Sequence, residues 1–168
     1  MPRPERPDVP EAALTPGVLL SGVTLPSWTG GTAVDLRSGR GPRALVTLHS
    51  AICPECRHYV QTELVPVLEQ LGEWGGRLAV IVPGKPDGAH ELAGIVPEGI
   101  ELAGDPEASL ASGRAMVVIV DEWGEVFFVR DAGAGHDLPT SLDIRDWIRF
   151  LAIQCPECEG PEGEWRTI

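Results

Sequence analysis

The tetrapeptide Cys53-Pro54-Glu55-Cys56 stands at a junction that constrains everything around it. Before it, Ala44-Leu45-Val46-Thr47-Leu48-His49 is a β-rich apolar run suited to a buried central strand. After it, Tyr59, Val60, Leu64, Val67, Leu68 and Leu71 recur at helical spacing. Pro54 fits the first turn of a helix, where a missing N–H leaves no gap. Pro66 is expected to kink the same helix. Gly75-Gly76 closes the unit, and Arg77 to Val82 reads as a second buried strand. Strand, helix, strand over 44–82 is a βαβ unit with two cysteines at its helix N-terminus.

The rest of the chain fits one domain around that unit. A length of 168 residues is one domain, large enough to bury a core without disulfides or metal. Residues 1–16 read as an extended Pro-rich arm, 17–153 as the domain, and 154–168 as an acidic tail. Val23 to Leu25 and Thr32 to Leu36 flank Gly30-Gly31 as a hairpin. Gly99 to Ala103 is expected as a short strand, and Ala89–Gly94 and Pro106–Ser112 as short helical pieces. Ala115–Val120 and Glu125–Arg130, joined through Gly124, give the strongest hairpin pattern. Thr140 or Ser141 caps a last helix with Leu142, Ile144, Trp147, Ile148 and Leu151 on its apolar side.

Charge narrows the partners. Thirteen basic residues against 25 acidic ones give a net charge of -12, which disfavours nucleic acid and anionic membranes. Apolar runs such as Ala115–Val120 are too short to span a bilayer. Residues 1–10 hold four prolines and no apolar stretch, so no secretory signal is read and a cytoplasmic setting is expected. In that setting paired cysteines point to redox chemistry or metal rather than to stapling.

A helix N-terminus stabilises a thiolate, the reactive form of cysteine. Cys53 is therefore expected to be the exposed, attacking thiol. Cys56, one turn later and facing inward, would resolve the mixed disulfide. Arg57 and His58 add positive charge or donors nearby, whereas Glu55 opposes the thiolate. The alternative is structural zinc held by Cys53, Cys56, Cys155 and Cys158, because Cys155-Pro156-Glu157-Cys158 repeats the first tetrapeptide. Pairs in zinc ribbons usually stand ~15–20 residues apart; here all of 57–154 separates them. Elsewhere, His49 is a candidate donor to a thiolate, read first as a rim histidine. His136 reads as a loop residue without a partner.

On these residues the chain resembles thioredoxin-fold redoxins, the group that includes alkyl hydroperoxide reductase/thiol-specific antioxidant proteins and thiol–disulfide reductases. The resemblance spans Val18 to Ile153. It rests on Leu25-Pro26, the Gly30-Gly31 hairpin, the strand and CxxC over Leu45–Cys56, Pro66, and the Asp121-Glu122-Trp123-Gly124 turn between strands. It implies an α/β fold of thioredoxin type, a central mixed sheet flanked by helices, with an N-terminal hairpin extension. It also implies thiol–disulfide oxidoreductase activity through Cys53 and Cys56.

Two positions depart from the group. Thiol–disulfide relatives carry a cis-proline before the strand at 116–120, where this chain reads Gly113-Arg114-Ala115-Met116. Peroxiredoxins carry a proline, a serine or threonine three before the peroxidatic cysteine, and a later arginine. Ser50 fits the second, Val46 stands in the proline's place, and Arg114 is a candidate for the arginine. A peroxidase with Cys53 peroxidatic is thus the second enzymatic reading.

The last helix should run away from Cys53 for ~20 Å, which puts Cys155 and Cys158 at the far pole. For that pair three roles stay open: a second dithiol relaying electrons, a local disulfide, or metal binding. The expected partners are protein or small-molecule disulfides, or peroxide, with a separate dithiol as electron donor and a homodimer as one arrangement for the relay. No organic cofactor and no metal is assigned.

Overall fold

The computed structural model describes residues 14–20, 22–36, 40–84, 92–133 and 136–154. Most of the arm expected over 1–16, the first half of the helical turn expected at Ala89–Gly94, and the tail with Cys155 and Cys158 lie outside them; Leu92 and Ala93 are helical as expected. Five strands form the main sheet: β3 (Arg43–Thr47), β4 (Arg77–Pro83), β5 (Ile100–Asp105), β6 (Met116–Val120) and β7 (Val126–Asp131), in the order β5-β4-β3-β6-β7. β4 runs parallel to β3 and β5, whereas β6 is antiparallel to β3 and β7, so the sheet is mixed. β1 (Thr24–Leu25) and β2 (Val34–Asp35) make the expected small antiparallel hairpin.

β3 is buried along its whole length because it sits in the middle of the sheet with both faces covered. Alternate residues serve different layers. Ala44, Val46 and Leu48 join a core with Val60, Leu64, Val67 and Leu71, and with Ile144, Ile148 and Leu151 of the last helix. Leu45 belongs to the opposite core, with Leu14, Leu20, Leu25 and Leu36 of the N-terminal segment. That segment also covers sheet edges: Trp28 N–H donates to the Leu102 carbonyl at 2.9 Å, and Leu20 N–H to the Gly124 carbonyl at 2.8 Å.

The parallel β3–β4 pair requires a crossover, and 54–73 supplies it in three pieces. α1 (Pro54–Tyr59) gives way to a π-helical turn (Val60–Leu64), and α2 (Val65–Glu73) follows with Pro66 in its first turn. The expected proline kink is therefore a π turn just upstream of Pro66. The missing N–H and the ring's bulk disturb the preceding turn, and a wider turn absorbs both.

The helical piece expected at Pro106–Ser112 is a series of turns instead. Ala108 and Ser112 both have φ of 49°, left-handed values that a right-handed helix cannot hold. The Asp105 carboxylate, 4% exposed, anchors this segment by accepting from Leu110 N–H at 2.9 Å and Ser109 Oγ at 3.0 Å. Gly124 has the positive φ, 85°, that its hairpin requires.

The last helix, α3 (Ser141–Ala152), is capped by Thr140 and Asp143 in a reciprocal box. At its start Ser141 N–H donates to Glu63 Oε2 at 2.6 Å, and near its end Arg149 stacks over Trp74 at 5.2 Å. It therefore runs alongside α2, away from Cys53. Among the described residues no helix is long and apolar enough to cross a membrane.

Candidate active site

Cys53 caps α1 with its side chain. Its backbone is extended (φ -63°, ψ 116°), and its sulfur accepts from Cys56 N–H at 3.4 Å while its carbonyl accepts from Arg57 N–H at 3.0 Å. The cap arises because the loop over 48–53, with a turn at Ala51 and Ile52, delivers Cys53 in an extended conformation and Pro54 then starts the helix. Its sulfur thus faces the helix N-terminus from a half-buried position, flanked by Ile52, whose side chain is 70% exposed.

Cys56 occupies the next turn and is 1% exposed, part of the core that packs against Val46 and Leu48. Burial pushes its thiol up to about 11, although the backbone N–H groups of His49 and Ser50 point at the sulfur and oppose the rise. The two cysteines share one short motif, yet one is presented and the other sequestered, as their spacing over one helical turn dictates.

Two histidines close over the pair. His49, just past the end of β3, places Nδ1 3.5 Å from Cys56 Sγ and its N–H 3.4 Å from the same atom. His136, in the loop between β7 and α3, places Nε2 3.6 Å from Cys53 Sγ. The two rings meet edge to face, with centroids 4.6 Å apart. One ligand-type atom from each of His49, Cys53, Cys56 and His136 lies within 4.8 Å of all the others.

The loop carrying His136 is tied to the CxxC helix. Tyr59 Oη donates to the Pro139 carbonyl at 2.6 Å, beside the Ser141–Glu63 bond, and Arg130 pairs with Asp137 at 2.9 Å. Glu55 lies on the solvent side, where the Cys53 thiol reaches its Oε2 at 3.5 Å. Its carboxyl is held below the usual carboxylate range, first by its own backbone N–H and then by that thiol. A cleft of about 490 Å³ opens beside the pair, lined by Pro54, Glu55, His58, Tyr59, Glu63 and His136 among others.

Of the residues singled out from sequence, Cys53, Cys56 and His49 come together. Ser50 contributes through its backbone N–H. Arg114 is engaged elsewhere: its guanidinium pairs with Asp131 at 2.7 Å and meets the Ala111 carbonyl, while its own carbonyl accepts from Thr47 Oγ1 at 2.8 Å. His136 is the residue sequence reasoning missed. Local sequence offers it no partner, because a partner 83 positions away has no signature in local spacing. Its one sequence cue is the position just ahead of a capped helix that starts at the CxxC end of the sheet. Cys155 and Cys158 lie outside the described residues.

No family model matches the chain, and no curated protein matches it in sequence. Solved structures do match in shape. The peroxidoxin BcpB from Mycobacterium tuberculosis superposes with a TM-score of 0.67 at 14% identity, over 84% of this chain and 99% of that one. Reduced Prx3 from Vibrio vulnificus, solved with hydrogen peroxide, gives 0.67 at 16% identity, over 80% and 98%. A secreted Mycobacterium tuberculosis disulfide oxidoreductase homologous to E. coli DsbE gives 0.54 at 9% identity, over 77% and 93%. At such identities the likeness concerns architecture, and with the strand order and CxxC placement above it establishes that this chain has the thioredoxin-like fold of the redoxins.

Proposed function

We propose that the protein is a thiol–disulfide oxidoreductase in which Cys53 attacks and Cys56 resolves. The observation that carries this reading is the asymmetry of the pair: a half-exposed sulfur capping a helix N-terminus, and a buried thiol one turn behind it. The Cys53 thiolate attacks one sulfur of a substrate disulfide, forming a mixed disulfide and expelling the other sulfur as a thiolate. Cys56 then attacks Cys53 Sγ, breaks the mixed disulfide, releases the second substrate thiol and leaves a Cys53–Cys56 disulfide. A separate dithiol donor returns two electrons and two protons. Since the Cys56 thiol is raised to about 11, it is protonated at neutral pH and needs a base for its step. His49 Nδ1, 3.5 Å away, is placed to take that proton in the tautomer with a bare Nδ1. Exposed Ile52 and the neighbouring cleft offer an apolar contact and a groove for a polypeptide substrate. A cytoplasmic setting accompanies this reading, as does an open relay role for Cys155 and Cys158.

Peroxide is the second substrate class. The superposition on a peroxidoxin and on a peroxide-bound Prx3 favours it, and so does Ser50 three residues before Cys53. The engagement of Arg114 by Asp131 weighs against it. Insulin reduction and peroxide consumption, each driven by dithiothreitol, separate the two. Faster insulin reduction that is lost in Cys53→Ser is the expected result; peroxide turnover without insulin reduction would transfer the assignment to the peroxidase.

A further inference from the structure

The dithiol reaction uses His49 and leaves His136 without a role, although His136 is held directly over Cys53. Two thiolates and two imidazoles that converge on one point form a donor set of their own. We propose that the reduced protein binds one zinc ion through His49 Nδ1, Cys53 Sγ, Cys56 Sγ and His136 Nε2.

The distances fit tetrahedral coordination. With Zn–S of ~2.3 Å and Zn–N of ~2.05 Å, a tetrahedral ion holds its sulfur and nitrogen ligands about 3.6 Å apart. The two observed sulfur–nitrogen separations are 3.5 Å for Cys56–His49 and 3.6 Å for Cys53–His136. All four donor atoms already lie within 4.8 Å of one another, so binding calls for small rotations of side chains rather than a change of fold.

The donor types select the metal. Thiolate with imidazole suits zinc, and four protein ligands make a closed site without a position for substrate. Two thiolates neutralise the ion's charge. The supports are four: the end of β3, the α1 N-terminus, the Tyr59–Pro139 bond and the Ser141–Glu63 bond. These hold the loop histidine in place before any ion arrives. This set differs from a four-cysteine site built on Cys155 and Cys158, because all four donors belong to the CxxC end of the domain.

Metal and disulfide exclude each other, since both use the same two sulfurs. When the zinc-bound dithiolate meets a disulfide, the two sulfurs give up two electrons and join. The disulfide takes those electrons and two protons to become two thiols, and Zn²⁺ leaves. The ion therefore guards the reduced pair, and oxidation releases it.

The test begins with full-length protein reduced by a phosphine and freed of metal under anaerobic conditions. Zinc is then titrated against a chromophoric chelator. One ion per chain is expected, with none bound after diamide oxidation. X-ray absorption on the zinc-loaded wild type should show two sulfur and two nitrogen ligands. Four sulfurs, a ligand shell dominated by oxygen, or no binding at chelator-competitive affinity would overturn the proposal without recourse to any variant. His136→Ala is expected to weaken binding about 100-fold, and the double variant Cys155→Ser/Cys158→Ser to leave stoichiometry and ligand shell unchanged. The reverse pattern would place the metal on the tail pair. Insulin reduction measured in excess EDTA tests the dithiol reaction independently, so failure of one reading is distinct from failure of the other.

Discussion

Strand β3 carries a polar cluster at each end, each centred on one buried side chain, Arg43 or Cys56, and the two are built in opposite ways. At its N-terminal end Arg43 is 2% exposed; it pairs with Glu101, which also meets Arg77 at 2.7 Å, and it donates to the Asp35 carbonyl. Burial, then the nearby Arg77 charge, lower Arg43 to about 10, and the Asp35 charge works the other way. It stays ionised at neutral pH, and its neighbours answer its charge. Past the C-terminal end, His49, Cys56, Cys53 and His136 bring two sulfurs and two imidazole nitrogens within 4.8 Å of one another. Their protonation, oxidation and ligation can all change. Polarity at the first end closes the sheet; at the second it leaves chemistry open.

The sharpest way to break this contrast is to exchange the consequences. Cys53→Ser should abolish disulfide exchange and leave the urea midpoint almost unmoved, because the side chain is half exposed and nearly isosteric. Arg43→Met should do the opposite: activity retained in the folded protein, stability lowered by about 1 kcal/mol, since the Asp35 carbonyl loses a donor while Glu101, 39% exposed, keeps Arg77. Activity assays and urea unfolding on both variants check this. Comparable activity loss in both would show that the two ends are coupled and the contrast is false.

A smaller effect separates the two sulfurs. Without His49 the buried Cys56 thiol loses the imidazole nitrogen 3.5 Å from it. His49→Ala should slow resolution of the mixed disulfide about 100-fold at neutral pH while leaving the first attack close to wild type. Raising the pH should recover the variant's rate, because hydroxide then removes the proton. Quenched-flow trapping of the mixed disulfide gives both rates. A pH-independent defect would reduce His49 to a packing role.

Much of this was legible before any coordinates, and for physical reasons. The βαβ unit shows in the sequence because a central strand is apolar throughout and its helix repeats every three to four residues. Cys53 and Cys56 follow from the strand–helix junction alone. The N-terminal hairpin and the β6–β7 turn were legible through glycines that relieve positive φ. The turns at 106–112 were not, because short apolar pieces carry too little periodicity, and a buried Asp105 set them through contacts to Ser109 and Leu110. The π turn was half legible: Pro66 announced a disturbance and not its form. His136 was invisible because it reaches Cys53 only once α3 packs along α2, a tertiary event that no local pattern encodes.

Cys56 also links the reactive end to stability. Its thiol titrates near 9 when unperturbed and at about 11 in the fold. Between those values the native state keeps a proton that the unfolded chain has released, so stability falls as pH rises, by at most about 1.4 kcal/mol per pH unit. Reduced wild type should therefore lose on the order of 2 kcal/mol more than Cys56→Ala from pH 9 to 11. The oxidised protein, which has no thiol there, should track the variant. Chemical denaturation at each pH measures the difference; equal slopes would mean that Cys56 is better solvated than its burial indicates.

The smallest effect concerns the start of α3, which belongs to neither cluster but holds the loop beside one of them. Thr140 Oγ1 accepts from Asp143 N–H at 3.3 Å, and Asp143 Oδ2 accepts in return from Thr140 N–H at 2.9 Å. Thr140→Ala removes half of this box and should cost about 1 kcal/mol in thermal or urea unfolding. Exchange activity should hold, because Tyr59 still grips Pro139 and Glu63 still accepts from Ser141. Zinc affinity is the finer gauge, since it depends on where His136 sits. A fall of a few-fold at most is expected if those two bonds alone position the loop. A drop as large as that of His136→Ala would make the helix cap itself part of the reactive end, joined to it through packing along α2.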